Sequence, residues 1–267
     1  MTPVAVSRGR GPSILGQPHG GTFVPAEIAA RFNDNGRALA DTDWHITQLY
    51  DGLLPDATVV EARFHRYVID ANRDPAGHSL YPGQNTTGLC PVTDFDGAAI
   101  WQENAQPTDE DIAARLADFH APYHAALTAE VARVKALHGV ALVFDCHSIR
   151  SRIPFLFEGT LPALNVGTDN GRTCAPALQE IMQEHVERSG LTQVVNGRFR
   201  GGWTTRHYGQ PQDHVHAIQL EIAQSAYLTH EHAPWTYDAM TAGQLRGILQ
   251  PLLAVLAAGV LKVARHG

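Results

Sequence analysis

Cysteine is scarce in this chain and has no pattern. Of 267 residues only Cys90, Cys146 and Cys174 are cysteine. So odd and sparse a set argues against a disulfide framework and for a reducing compartment. A basic balance is also missing. Twenty Lys and Arg against 27 Asp and Glu leave a formal net charge of −7, which argues against a general nucleic-acid binder. Any anionic ligand must then be met by locally clustered arginines. The opening residues, MTPVAVSRGRGPSILG, lack the apolar core of a secretory signal. The most apolar stretch, PLLAVLAAGVL (251–261), is too short to span a bilayer and is closed by Lys262. The expectation is a soluble cytoplasmic protein without a membrane or nucleic-acid partner.

Several catalytic signatures are absent too. Neither G-x-G-x-x-G nor G-x-x-x-x-G-K-[ST] occurs, so no nucleotide fingerprint is present. No G-x-S-x-G elbow surrounds Ser148. Cys146 adjoins His147, but neighbours on a strand point to opposite faces. A serine or cysteine nucleophile is therefore disfavoured.

What is present suits one α/β domain over residues 1–267. The chain is 44% hydrophobic, enough for a core, and shows no internal repeat. Strand-like runs alternate with helical patterns. TVVEARFHRYVI (58–69), VALVFD (140–145), TQVVNGRF (192–199) and HAIQLEIA (216–223) read as strands, and PFLF (154–157) as a further candidate. Residues 107–139 carry the strongest helix signal, with Ile112, Leu116, Phe119, Tyr123, Leu127, Val131 and Val134 at helical spacing. Thr108 and Asp111 occupy capping-box positions, Pro122 predicts a kink or split, and Gly139 ends the helix. A second helix is predicted over 175–190, and a C-terminal one from near Thr236 with a kink at Pro251. The segments 70–107 and 197–215 read as long loops, a length that is usually functional.

Four stretches place chemistry-bearing residues where such sheets bind ligands, at the carboxyl ends of strands. GQPHGG (16–21) puts His19 after the short apolar SIL, and a turn histidine is the bland alternative. DTDWHITQLYD (41–51) offers Asp41, Asp43 and His45 as metal ligands, against an ordinary helix start with acids at its N-terminus. RYVIDANRDP (66–75) clusters Arg66, Asn72 and Arg73, against surface ion pairs. In HAIQLEIA, Gln219 and Glu221 share one face of an otherwise apolar strand, and a buried glutamate needs a partner or a task. To these ALVFDCHSIR (141–150) adds His147, aimed out of a buried run. Two histidines and one carboxylate make a three-ligand zinc site with an open fourth position. A separate glutamate as general base and clustered arginines complete the set for metal-assisted amide hydrolysis.

The order and spacing of PHGG…VP, DTDWHITQLYD, RYVIDANRDP, LYPGQNTTGLCP, PYHAAL, DCHS, GRFRGGWTTRHYG and HAIQLEIAQSAYL resemble the N-formylglutamate amidohydrolases, enzymes of histidine breakdown. DANR more distantly resembles the D-x-N-R stretch of zinc carboxypeptidases and aspartoacylase. The resemblance implies a central mixed, mostly parallel sheet with helices on both faces and the metal at strand carboxyl ends. It implies hydrolysis of N-formyl-L-glutamate, a small dicarboxylate N-acyl amino acid, with one divalent ion, zinc foremost. Relatives acting on another N-acyl amino acid, or a non-catalytic binding protein, are the alternatives. His19 and His147 would be ligands, Glu221 the general base, and Arg66 the oxyanion partner. Asn72 and Arg73 would bind one substrate carboxylate, with Arg200 and Arg206 candidates for the other. The peptidases take their first ligands from His-x-x-Glu, but Thr22 stands three after His19. The carboxylate ligand then falls to Asp43, with Asp41 and His45 as rivals.

Overall fold

The run at 140–149 forms the centre of the fold. In the structure, a computed structural model describing residues 2–79 and 83–266, it is strand β4 (Ala141–Ile149), buried along its whole length. Around it lie β1 (Val4–Ser7), β2 (Ser13–Gln17), β3 (Thr58–Ala62), β5 (Leu164–Gly167), β6 (Gln193–Val195) and β7 (Val215–Ala223). They make one seven-stranded sheet in the order β1-β3-β2-β4-β7-β5-β6. The pairings β2–β3, β2–β4, β4–β7 and β5–β6 are parallel, while β1–β3 and β5–β7 are antiparallel. The α/β class and the mixed, mostly parallel sheet stand as expected. Both central strands, β4 and β7, are near-continuously apolar in their first halves, as strands covered on two faces must be.

Helices cover both faces. On one side lie α3 (Ile46–Tyr50), α6 (Pro176–Arg188) and α8 (Ala239–His266), packed on Leu142, Phe144, Cys146, Ile218, Leu220 and Ile222. On the other lies α5 (Ala121–His138), whose Tyr123, Leu127, Val131 and Val134 meet Ile14, Val60, Ala141, Val143 and Ala217. The short helices α1 (Ala26–Ala29), α2 (Asp34–Arg37) and α7 (Trp203–Tyr208) sit in connections.

The strongest sequence signal divides in two. Helix α4 (Asp109–Arg115) opens on a complete capping box, Thr108 accepting from the Asp111 amide and Asp111 from the Thr108 amide. A π turn over Leu116–His120 then separates α4 from α5, just ahead of Pro122. Gly139, at φ 74, closes α5 in the left-handed conformation.

Some expectations are corrected. The strand predicted over 58–69 stops at Ala62. Phe64, Tyr67, Val68 and Ile69 remain fully buried, but in a turning segment rather than a ladder. Residues 154–157 form a turn, and the antiparallel partner of β7 is β5. Helix α8 continues past Pro251 as one element. Over Ala239–Arg265 it is long and apolar enough to cross a membrane, which the shorter stretch 251–261 had not suggested. Here Ala242, Leu245, Leu249, Leu252, Leu256 and Val260 bury one side of it in the core. Leu80, Tyr81 and Pro82 of LYPGQNTTGLCP lie outside the described residues.

Candidate metal and active site

Three side chains from distant parts of the chain converge where β2 and β4 end. His19 follows β2 by two residues, His147 lies near the end of β4, and Asp43 sits in the turn before α3. All three are buried, and one ligand atom from each lies within 4.8 Å of the others. The two Nδ1 atoms are 3.2 Å apart. Asp43 Oδ2 is 3.3 Å from His147 Nδ1 and 4.0 Å from His19 Nδ1. The backbone amide of Ser148 donates to Asp43 Oδ2 at 3.0 Å and fixes its direction.

The rivals of Asp43 are placed elsewhere. Asp41 accepts from the Tyr67 hydroxyl at 2.8 Å and from the Phe95 amide at 2.9 Å. His45 starts α3 at φ 59, with Nε2 2.7 Å from the Trp235 carbonyl. Of the three, Asp43 is the one whose oxygen lies close to both histidine nitrogens.

Two carboxylates missed in the sequence stand behind the histidines. Asp70 Oδ1 lies 2.6 Å from His19 Nε2, and Asp145 Oδ1 lies 3.1 Å from His147 Nε2. Asp70 is ionised, so His19 donates Nε2–H to it and turns the Nδ1 lone pair to the centre. A carboxylate behind a ligating histidine, fixing tautomer and orientation, is the usual support of a metal site. The signal was available: Asp145 precedes His147 by two residues and therefore shares its face of the strand.

Two imidazole nitrogens and one carboxylate oxygen are a donor set that suits zinc, with a fourth position for water or substrate. The residues present fit a single divalent ion. Arg66 Nη2 contacts His19 Nδ1 and lies 3.8 Å from Asp43 Oδ1, so cationic charge already meets this anionic centre.

Electrostatics follow from burial and neighbours. Burial, aided by the Arg66 charge, lowers the His19 pKa to about 4 and keeps the ring neutral. Burial also pulls His147 down, but Asp145 and Asp43 outweigh it and raise it well above 6.5. Asp70 is pushed up by burial, yet Arg73, His19 and Arg66 hold it well below the usual carboxylate range. Glu221 has no such excess of cations. Burial dominates and raises its carboxyl to about 7, the poise of a group that exchanges protons near neutrality.

Glu221 faces this centre from the neighbouring strand, in register with His147. A cleft of about 70 Å³ opens over both, and Arg66, Asn72, Arg73 and Gln219 also line it. Asn72 is held by the Thr204 amide, which donates to its Oδ1 at 2.8 Å, and its Nδ2 is 3.0 Å from His147 Nε2. Gly202 approaches so closely that a Cβ there would collide with the Asn72 side chain. Arg73 donates to the Thr87 carbonyl at 2.9 Å and to its hydroxyl at 3.0 Å. Arg200 and Arg206 are not among the described residues that line the cleft. Arg206 Nε donates to the Gly201 carbonyl and lies 3.5 Å from Asp169, and Arg200 Nε donates to the Gly197 carbonyl. The arginine of this loop that lines the cleft is Arg198. The glycines after His19 serve packing: Gly21 presses on the backbone of Arg63.

Fold and site define a class, an α/β protein whose polar groups gather at the carboxyl ends of the central strands. The comparison with known proteins makes it particular. A model of the family described as N-formylglutamate amidohydrolase matches residues 11–228. The chain is 44% identical over 257 residues to N-formylglutamate deformylase of Pseudomonas aeruginosa, covering 96% of both. It is 44% identical over 253 residues to that of Pseudomonas putida, covering 94% of both. The chain belongs to the N-formylglutamate amidohydrolase family and is a hydrolase of a non-peptide amide bond. In fold it matches the crystal structure of N-formylglutamate amidohydrolase from Ralstonia eutropha JMP134. There the TM-score is 0.78 at 24% identity, covering 100% of this chain and 98% of that one. A gene product of Agrobacterium tumefaciens matches at TM-score 0.67 and 20% identity, covering 96% and 94%.

Proposed function

We propose that this chain hydrolyses N-formyl-L-glutamate to formate and L-glutamate, with one divalent ion, zinc foremost, held by His19, Asp43 and His147. The observation that carries the reading is the convergence of His19 Nδ1, His147 Nδ1 and Asp43 Oδ2 beside Glu221 and Arg66 in one cleft. Relatives 44% identical over nearly their whole length bear the name of that reaction. The ion, when bound, supplies Lewis acidity, lowering the pKa of a water and polarising a carbonyl. Glu221 accepts the proton of the attacking water and hands it to the leaving amine nitrogen. Arg66 stabilises the negative charge that develops on the formyl oxygen. Asn72 and Arg73 hold one substrate carboxylate. For the second, the cleft favours Arg198 over Arg200 and Arg206. We place the reaction in histidine breakdown and in the cytoplasm. The three cysteines, all free, suit a reducing compartment.

The test is formate release from N-formyl-L-glutamate by the purified protein, before and after chelation and metal add-back. Release that chelation stops and zinc restores is the expected result. No release from a folded, metal-replete sample sinks the substrate assignment. Release after the metal content has fallen to zero sinks the metal mechanism.

A further inference from the structure

The motif PYHAAL has no part in this chemistry, yet its histidine is buried and doubly engaged. His124 Nε2 is 2.8 Å from the Ala71 carbonyl. A carbonyl only accepts, so Nε2 carries the proton and donates. That leaves Nδ1 to accept from the Tyr208 hydroxyl at 3.0 Å. His120, also buried, donates from Nε2 to the Arg73 carbonyl at 3.1 Å. One turn earlier Arg115 Nη1 donates to the Val68 carbonyl at 3.1 Å. A single helical segment thus meets three carbonyls of the chain that carries Asn72 and Arg73, and two of them bracket Asn72.

The π turn makes this alignment possible. In a regular helix, side chains five residues apart point about 140° away from each other. The π turn over Leu116–His120 absorbs one extra residue. Arg115 and His120 are thereby turned towards the same side, with His124 one further turn along.

We propose that His120 and His124 are positioning residues, fixing the backbone on both sides of Asn72 so that Asn72 and Arg73 present their donors to the substrate carboxylate. The proposal rests on the reading of those two residues given above. His120 and His124 touch no substrate and act through the loop.

The test compares His124→Leu, which removes the donor, with His124→Gln, whose amide restores an N–H at similar reach. Each is read for kcat and KM on N-formyl-L-glutamate, for metal content, and for amide hydrogen exchange over residues 71–73, which needs no substrate. His124→Leu is expected to raise KM about tenfold with kcat little changed, the loss typical of one hydrogen bond. Its metal content stays whole, its loop amides exchange faster, and His124→Gln returns KM to near the wild-type value. An unchanged KM, a fall in kcat alone, or a Gln variant that behaves like Leu overturns the proposal. Should His124→Leu fail to fold, His120→Leu, which removes only the bond to Arg73, is judged by the same criteria. Wild-type protein that releases no formate sinks the substrate reading. Loop exchange that is unchanged in a folded Leu variant sinks the clamp, so the two failures are told apart.

Discussion

The first and second halves of β4 and β7 are equally buried and chemically opposite. All nine residues of each strand are buried. On one face the first halves place Ala141 and Val143 beside Val215 and Ala217, under α5. On the same face the second halves place Asp145 and His147 beside Gln219 and Glu221. The opposite face carries Leu142, Phe144, Cys146, Ile218, Leu220 and Ile222 under the other helices. Depth therefore does not mark the site. What marks it is one face changing from hydrocarbon to charge halfway along, while the other stays mostly apolar and anchors both strands. Buried charge here is paired or hydrogen-bonded: Asp145 with His147, Asp70 with the His19 ring and Arg73, and Asp43 with Arg66.

The strongest way to separate the halves is to remove one charge and keep the shape. Glu221→Gln is expected to lower kcat by about a thousandfold, within the usual range for a lost general base. Metal content and thermal midpoint should stay near wild type; ordinary turnover in that variant would end the assignment of Glu221. Next comes the support behind a ligand. Asp70→Asn should weaken metal affinity by roughly 10–100-fold, measured by competition with a chelator of known strength. Undiminished affinity would mean that Asp70 serves only the fold.

The apolar half holds a polar exception that sharpens the contrast. His216 on β7 accepts from the Ala175 amide and is buried, which lowers its pKa to about 4. Burial lowers that of His124 to about 3. Unfolded, each titrates near 6.5, so below that pH the unfolded chain takes up protons that the folded chain refuses. Their contribution to stability is whole above pH 6.5 and is lost as pH falls through the window towards 4. Urea midpoints should drop between pH 7 and pH 5, and less so in His216→Leu. Equal slopes in the two proteins would clear His216. The smallest effect belongs to an apolar residue of the first half. Ile218→Val should cost about 1 kcal/mol of stability and leave kcat and KM untouched. A loss of activity in that variant would show that the two halves are not independent.

How much of this was legible depended on what kind of force placed each group. The strand at 141–149 and the alternation of 216–223 could be read directly, because period and burial decide them. The predicted strand at 58–69 failed beyond Ala62 because apolar density specifies burial and not a ladder. Phe64, Tyr67 and Ile69 are as buried as any strand residue. His19, His147 and Glu221 drew attention by their position at strand ends, and the fold brings them to one cleft. The choice among Asp41, Asp43 and His45 was not open to pattern reasoning. All three sit in a turn whose direction is set by contacts with Tyr67, Phe95, Ser148 and Trp235, distant in the chain. The same holds for which arginine of the loop 198–206 lines the cleft. Three arginines within nine residues look alike until the loop has a shape.

The parallel register of β4 and β7 carries a consequence for how the protein comes into being. A ribosome delivers His19, Asp43, Arg66, Asn72 and His147 before it delivers Glu221, and β7 can dock beside β4 only after that. On the proposed reading, the growing chain receives the residues that would hold a metal before the one that would move protons beside it. Any fragment that ends between His147 and Glu221 contains His19, Asp43 and His147 and lacks Glu221. On that reading, hydrolytic capacity arrives late in synthesis, with one strand.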